Sequence, residues 1–217
     1  MHDRSPNPLL IKAEAPCVGI LLAAGFGRRF TAALAAAGIP ADPTDKLSVR
    51  LPDGRTLAET SAQALLEATG CTLAVVRPDT PALHAQLRRA GAALLVSEDA
   101  RRGMGASLAA AARHLIAHDD DAQTALIALA DMPWISADTY RQVERAARQH
   151  AIVVPVYEGR RGHPVALHRS MWPALAQLDG DVGARGLLQN QAVHAIEVTD
   201  SGILRDVDLP GDVKASG

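Results

Sequence analysis

The sequence predicts an α/β protein in which a mostly parallel β-sheet is covered by helices on both faces. Short apolar runs alternate with segments of helical periodicity along most of the chain, which is the pattern of βαβ units with right-handed crossovers. In addition, 48% of the 217 residues are hydrophobic but only 3% are aromatic, so the core must consist mainly of Ala, Leu and Val. Such small side chains suit close packing of helices on a sheet.

The apolar runs are predicted to be buried strands, because they lack the polar alternation of a strand with one wet face. They cover residues 17–23, 72–76, 92–96, 124–130, 152–156, 164–168 and 193–198. Segments with helical periodicity lie between or after them, at 57–68, 81–90, 106–117, 137–149, 171–178 and 182–189. Beyond Pro155 the alternation is less regular.

Three remaining features concern domain organisation. Residues 1–15 carry charges and prolines without periodicity, which predicts a disordered lead-in. We find no internal repeat and no Gly/Ser linker, so residues 16–217 are expected to form a single domain. Segment 31–44 is Ala-rich and then contains Pro40 and Pro43, which predicts a short helix followed by an inserted loop of unknown role.

Charge and hydropathy exclude two classes of partner. The formal net charge of −2 lacks the basic surplus that nucleic-acid binding requires, so we expect no nucleic-acid partner. No apolar run reaches the roughly 18 residues that span a bilayer, and the first sixteen residues do not resemble a signal peptide. We therefore expect no membrane partner and a cytoplasmic location.

The loop after the first strand, residues 22–29 (LAAGFGRR), is the first candidate site, since ligands of open α/β sheets collect at the carboxyl ends of strands. Gly25 and Gly27 allow a ligand to approach the backbone closely. Positive charge for a triphosphate is available from Arg28, Arg29 and, further on, Lys46. The dinucleotide pattern G-x-G-x-x-G fails at Phe30, and a P-loop pattern is absent. Glycines that merely allow a strand-to-helix turn are the structural alternative.

The end of the run 124–130 is the second candidate site. Asp131 follows this apolar run directly, and a carboxylate at the tip of a buried strand is costly unless it is paired, hydrogen-bonded or bound to a cation. Mg²⁺ that bridges carboxylates and substrate phosphates is one solution. A helix N-cap is the alternative, but Ser136 is better placed to cap the following helix.

The third candidate is the segment 101–107 (RRGMGAS), which precedes a predicted helix. Its two glycines would expose backbone N–H groups to an anion or a base edge, although a flexible turn explains them equally well. Two further features look more structural. His114 and His118 lack the Glu of a metal-binding H-E-x-x-H helix. Asp179 and Asp181 could act as an acid/base pair, but the segment that contains them is also a plausible helix-capping loop.

Six motifs together resemble the MobA-like nucleotidyltransferases, most closely the molybdenum cofactor cytidylyltransferases. They are the first loop, 103–107, Asp131-Met132-Pro133, 161–165 (RGHPV), 179–185 and 206–210 (DVDLP), and the resemblance extends over residues 17–212. It implies a Rossmann-like three-layer fold with a mostly parallel sheet, of the nucleotide-diphospho-sugar transferase type. It also implies that a cofactor phosphate attacks the α-phosphorus of a nucleoside triphosphate, with release of pyrophosphate.

The resemblance assigns roles to matching positions. It places the triphosphate on Ala23, Ala24, Gly25, Gly27, Arg28, Arg29 and Lys46. It places the base and ribose near Gly103, Met104, Gly105 and Ser107, and Mg²⁺ on Asp131 and Asp208. The molybdopterin would face Gly162, His163, Pro164, Asp181 and Arg185. Arg28, Lys46 and Asp131 are the expected catalytic residues, and a molybdenum enzyme or its chaperone is the expected transient partner.

The choice of base depends on one position. Cytidylyl members tend to have Leu-Ala-Ala-Gly in the first loop and guanylyl members Leu-Ala-Gly-Gly, so Ala24 favours CTP over GTP. The chain also departs from the family pattern: Gly27 replaces the usual Ser, Phe30-Thr31 replaces Met-Gly, and the insert separates Lys46 from the arginines. These departures leave open a binding protein without catalytic activity, or an enzyme with a sugar phosphate or phospholactate as acceptor, although Gly162-His163-Pro164 argues against the latter.

Overall fold

A computed structural model of the chain describes residues 17–38, 45–118, 121–181, 183–188 and 191–213. The predicted lead-in, 1–15, lies outside the described residues, as do residues 39–44 of the predicted insert. Within the described part, no helix is long and apolar enough to cross a membrane.

Eight strands of the described residues form one sheet. They are β1 (Cys17–Leu22), β2 (Thr72–Val76), β3 (Ala93–Val96), β4 (Thr124–Leu129), β5 (Ile152–Tyr157), β6 (Arg160–Arg161), β7 (Val165–His168) and β8 (His194–Glu197). The order across the sheet is β3-β2-β1-β4-β7-β5-β6, and β8 also pairs with β5. Strands β1 to β4 are mutually parallel, and β8 is parallel to β5. The prediction of a mostly parallel sheet is confirmed.

Helices cover both faces of this sheet. In the described residues they are α1 (Arg28–Ala36), α2 (Leu57–Thr69), α3 (Pro81–Arg89), α4 (Met104–Ala117), α5 (Ala137–Ala147), α6 (Trp172–Leu175) and α7 (Arg185–Leu188). Successive side chains of β1 point to opposite faces, so Leu21 belongs to the core cluster of α2, α3 and α5, and Ile20 to the cluster of α4 and α6. The chain therefore has the three-layer arrangement that the sequence predicts.

The differences from the predicted elements have local causes. Helix α1 begins at Arg28 rather than near residue 31, because Gly27 takes a left-handed conformation (φ 59°) that ends the loop earlier. Strand β6 has two residues, both arginines, and carries no apolar pattern that could predict it. It and β7 run antiparallel to β5, since the short connection after β5 is too short for a parallel crossover.

Candidate active site

A cavity of about 530 Å³ lies at the carboxyl ends of β1 and β4, where the sequence predicts ligand binding. Most of the predicted site residues line it, although they come from distant parts of the chain. These are Ala24, Gly25, Gly27, Arg28, Arg29, Lys46, Gly103, Met104, Ser107, Asp131, Asp181 and Asp208. Ala23, Gly105, Gly162, His163 and Pro164 are predicted site residues that do not line it. The side chain of Arg185 lies outside the described part of the structure.

Gly27 is required at its position for two reasons. Its φ of 59° is in the left-handed region, where a side chain is strained. A β-carbon there would also lie 2.8 Å from Cβ of Lys46, which packs over the loop. The chain thus has Gly27 where the family usually has Ser, and this glycine leaves room for Lys46, which follows the insert and packs closely against the loop.

The two arginines after Gly27 lie in the first turn of α1 and face different partners. Nη1 of Arg29 donates to Oδ2 of Asp208 at 2.9 Å. Arg28 forms no ion pair with the described residues, and its guanidinium carbon lies 5.0 Å from the centroid of the Phe26 ring. Arg28 is thus a cavity cation whose charge no described carboxylate neutralises.

Lys46 lies between two carboxylates. Its Nζ donates to Oδ2 of Asp131 at 2.7 Å and lies 3.7 Å from Oδ1 of Asp208. Asp45 positions it, because its Oδ1 accepts a hydrogen bond from the Leu47 N–H and so caps the short turn Lys46–Ser48. The segment 45–47 therefore returns to the cavity despite the insert.

Asp131 and Asp208 belong to neighbouring backbone segments. The N–H of Val207 donates to the Asp131 carbonyl at 2.9 Å, and the fully buried Val207 side chain packs in a small cluster with Phe30 and Leu57. These contacts hold the 206–208 segment beside the end of β4, with its Asp208 side chain directed at the cavity.

The chemistry of this pair fits a divalent cation. Both carboxylates approach one ammonium nitrogen, which shows that a single cation can contact both. No group of three or more Asp, Glu, His or Cys that could hold a metal is found among the described residues. A pair of carboxylates is the protein share that Mg²⁺ commonly takes, because it retains waters and binds substrate phosphates at its other positions.

The segment around Gly103 is shaped by its contact with Gly180. The Gly103 N–H donates to the Ala100 carbonyl at 3.4 Å and the Gly105 N–H to the Gly180 carbonyl at 2.8 Å, so the expectation that both glycines leave N–H groups for a ligand is wrong. Gly103 has a φ of 129°, and a β-carbon there would collide with the Asp181 carboxylate and the Gly180 carbonyl. The absence of a side chain at Gly103 therefore permits this segment to pack closely against residues 180–181.

Residues Gly162, His163 and Pro164 do not line the cavity, and the first two pack against Ile203. Gly162 packs against the Ile203 carbonyl so closely that a β-carbon would overlap it, and the His163 N–H donates to the same carbonyl at 3.0 Å. Burial lowers the pKa of His163, and its Nδ1 has no hydrogen-bond partner among the described residues. Their contact with an acceptor substrate stays a prediction.

Arg77 and Asp45 are two charged residues at the site that the sequence analysis does not single out. Arg77 follows β2 directly and is only 7% exposed. Burial raises the pKa of Asp45, against the opposing effects of the Leu47 N–H and the Arg77 and Lys46 charges. For Arg77 the available signal was a charged residue immediately after a buried strand, which is similar to the signal that singles out Asp131.

Solved structures with the same fold come from bacteria and archaea. Rv0371c from Mycobacterium tuberculosis H37Rv is 25% identical, with a TM-score of 0.74, 91% of this chain and 95% of that chain covered. A complex of Rv0371C with manganese is 23% identical, with a TM-score of 0.65 and coverage of 84% and 88%. A nucleotidyl transferase from Methanothermobacter thermautotroptrophicus is 20% identical, with a TM-score of 0.74 and coverage of 90% and 93%.

A search of curated protein sequences finds no match. A sequence model of the MobA-like NTP transferase domain matches residues 19–196, which is most of the chain. The match includes the first loop, Lys46 and Asp131, whereas Asp208 lies beyond it and joins the site through the fold. The chain is therefore a nucleotidyltransferase and belongs to the MobA-like NTP transferase family.

Proposed function

We propose that this nucleotidyltransferase moves CMP from CTP onto the phosphate of molybdenum-molybdopterin and releases pyrophosphate. The observation that carries the proposal is the meeting of Lys46, Asp131 and Asp208 beside the glycine-containing loop and Arg28. Cations and carboxylates in one cavity suit a reaction between two phosphate-bearing substrates, because one set binds phosphates directly and the other can hold a metal ion.

The triphosphate is proposed to bind at the loop end of the cavity. Arg28 and Arg29 reach this end from the first turn of α1, and Lys46 reaches it from the turn that packs over Gly27. Arg28 has its charge available, whereas Arg29 and Lys46 must exchange carboxylate contacts for phosphate contacts. Ala23, Ala24, Gly25 and Gly27 would contribute backbone at this end, although Ala23 itself does not line the cavity.

Asp131 and Asp208 are proposed to hold Mg²⁺. When bound there, this ion would supply positive charge that stabilises the phosphate oxygens of the substrates during transfer. The Lys46 ammonium, which lies beside the same carboxylates, would contact the phosphates, where its charge would support the departure of pyrophosphate. The manganese complex of Rv0371C is the reason to test Mn²⁺ beside Mg²⁺.

The proposed chemistry needs no protein nucleophile. An oxygen of the acceptor phosphate forms a bond to the α-phosphorus, the bond from that phosphorus to the β-bridging oxygen breaks, and pyrophosphate leaves with the electron pair. Positioning and charge neutralisation supply most of the acceleration in such transfers. The chain's catalytic groups are proposed to be Arg28, Lys46 and Asp131.

The base and the acceptor are proposed on sequence resemblance. Ala24, which lines the cavity and is buried, favours CTP; GTP is the alternative. Gly103, Met104 and Ser107 line the wall proposed for base and ribose. Asp181, which is predicted to contact the acceptor substrate, lines the cavity. The family motif at Gly162-His163-Pro164 supports molybdopterin as that acceptor.

The deciding experiment compares substrates in one assay. Purified protein is incubated with Mg²⁺ or Mn²⁺, molybdenum-loaded molybdopterin and either CTP or GTP, and pyrophosphate release is followed. We expect release with CTP and little with GTP. Release with GTP alone would reverse the base assignment, and failure with both nucleotides while a sugar phosphate is accepted would refute the proposed acceptor.

A further inference from the structure

Arg77 is a buried cation on the protein side of the first loop. Its side chain does not line the cavity, and only 7% of the residue is exposed. Nη1 donates to the carbonyls of Ala24 and Gly25, both at 2.8 Å, and Nε donates to Asp79 at 3.1 Å. A buried guanidinium stays charged, so it must find several acceptors, and here two of them are loop carbonyls.

These two hydrogen bonds fix the orientation of the loop amides. In a trans peptide the C=O and N–H point in opposite directions. Because the Ala24 and Gly25 carbonyls point to Arg77, the N–H groups of Gly25 and Phe26 point away from it, towards the cavity that both residues line. Neither N–H has an acceptor among the described residues. Paired free amides of this kind bind anions.

Arg77 also reaches the turn that carries Lys46. Nη2 lies 3.8 Å from Oδ2 of Asp45, a buried oxygen with no hydrogen-bond partner among the described residues. The guanidinium carbon lies 4.2 Å from the centroid of the Phe26 ring, so the same group packs beneath the loop side chain. One side chain thereby contacts both structures that flank the proposed triphosphate position.

We propose that Arg77 is a positioning residue that directs the Gly25 and Phe26 amides at the β- and γ-phosphates and fixes the Asp45–Lys46 turn. The inference rests on the proposed function for the identity of the ligand. It assigns Arg77 no contact with substrate, since two loop peptides lie between them. Lysine cannot replace it, because one ammonium lacks the planar fork that reaches two carbonyls and two carboxylates together.

The test separates binding of the triphosphate from binding of the rest of the nucleotide. Dissociation constants of CTP and CMP, each with Mg²⁺, are measured for the wild type and Arg77→Lys. We expect the preference for CTP over CMP to fall by about 10-fold or more in Arg77→Lys, since hydrogen bonds to charged groups are lost, with CMP binding little changed. The matched control is Arg89→Lys, an exposed arginine on α3 paired with Glu59.

An unchanged CTP preference in folded Arg77→Lys would overturn the inference, as would an equal loss for CTP and CMP. If the variant does not fold, the wild type is titrated with inorganic pyrophosphate and followed by amide NMR. The Gly25 and Phe26 amide protons should shift strongly downfield. Unshifted signals at saturation would overturn the inference. A wild type that binds CTP without releasing pyrophosphate counts against the proposed transfer and leaves the inference on Arg77 standing.

Discussion

Phe30 shows how one residue can depart from a family pattern and still serve the site. It is buried in a small cluster with Leu57 and Val207, so it fixes α1 against the segment that precedes Asp208. The neighbouring Arg29 then reaches Asp208 at 2.9 Å. Packing of the Phe30 ring therefore holds α1, and with it Arg29, beside the segment that carries Asp208.

Asp131→Asn tests the proposed metal site at a single atom. The substitution keeps the size of the side chain and removes a carboxylate ligand, so we expect turnover to fall on the order of 100-fold or more. Folding stability should fall by much less than turnover, because Asp131 is partly exposed and Lys46 keeps Asp208 as a second carboxylate at 3.7 Å. Pyrophosphate release and thermal unfolding are measured together, with Asp138→Asn on the exposed face of α5 as the control. Full activity in Asp131→Asn would remove this residue from the metal site.

Ala24→Gly tests the base assignment. The methyl group of Ala24 packs in the core cluster below the cavity while the residue lines the cavity itself. Removing it leaves room and backbone freedom where guanylyl members have glycine. We expect the ratio of kcat/KM for CTP over GTP to fall by roughly 10-fold, the scale of one methylene in a substrate pocket. Competition between the two nucleotides measures the ratio directly, and an unaltered ratio would show that base choice lies elsewhere.

At the scale of elements, the sequence predicts the strands and helices well, because the spacing of apolar residues indicates which side chains are buried. All seven predicted apolar runs become strands, and α2 to α5 lie where helical periodicity places them. The site is less predictable, since its contacts join distant segments. Asp131 carries a local signal, a charge at the tip of an apolar strand. The position of Lys46 depends on how the insert returns, and Arg77 depends on loop carbonyls that no sequence pattern records.

Asp200 joins two elements and gives a pH-dependent prediction. Its carboxylate accepts hydrogen bonds from the Ser136 N–H, the Thr139 hydroxyl and the Gly202 N–H, at 2.9, 2.6 and 2.8 Å. Burial opposes ionisation, but these hydrogen bonds outweigh it and lower the pKa of Asp200. A pKa lowered by folding stabilises the native state above the unfolded value of about 4, and the contribution disappears as pH falls through the folded value.

We therefore expect Asp200→Asn to lower the free energy of unfolding at pH 7 by roughly 1–2 kcal/mol, allowing for its partial exposure to solvent. The difference from the wild type should shrink as pH falls below about 4. Denaturant unfolding between pH 3 and pH 7 measures it, with the exposed Asp121→Asn as control. A difference that does not vary with pH would show that the carboxylate charge is not the stabilising feature.

At the scale of the whole molecule, the fold brings together three charged residues that lie far apart in the chain. Lys46 follows the insert, Asp131 lies two residues beyond the end of β4, and Asp208 lies beyond the family match near the end of the described residues. Two carboxylates this close repel each other unless a cation lies between them, and in this structure the Lys46 ammonium is that cation. Binding of a metal ion at the pair must therefore displace the lysine.

This competition predicts opposite effects of Lys46→Met on metal binding and on turnover. Without the ammonium, Asp131 loses its ion-pair partner and Asp208 keeps only Arg29, so the variant should unfold at a lower temperature than the wild type in the absence of metal. Added Mn²⁺ should then raise the unfolding temperature of Lys46→Met more than that of the wild type, because no internal cation competes and ligand binding to the native state stabilises it. Pyrophosphate release should nevertheless fall, since the lysine no longer reaches the phosphates.

Thermal unfolding across a Mn²⁺ titration measures the first effect, and Lys46→Met/Asp131→Asn is the control in which the additional Mn²⁺ shift should disappear. A smaller Mn²⁺ shift in Lys46→Met than in the wild type would mean that the ammonium and the metal ion do not share these carboxylates.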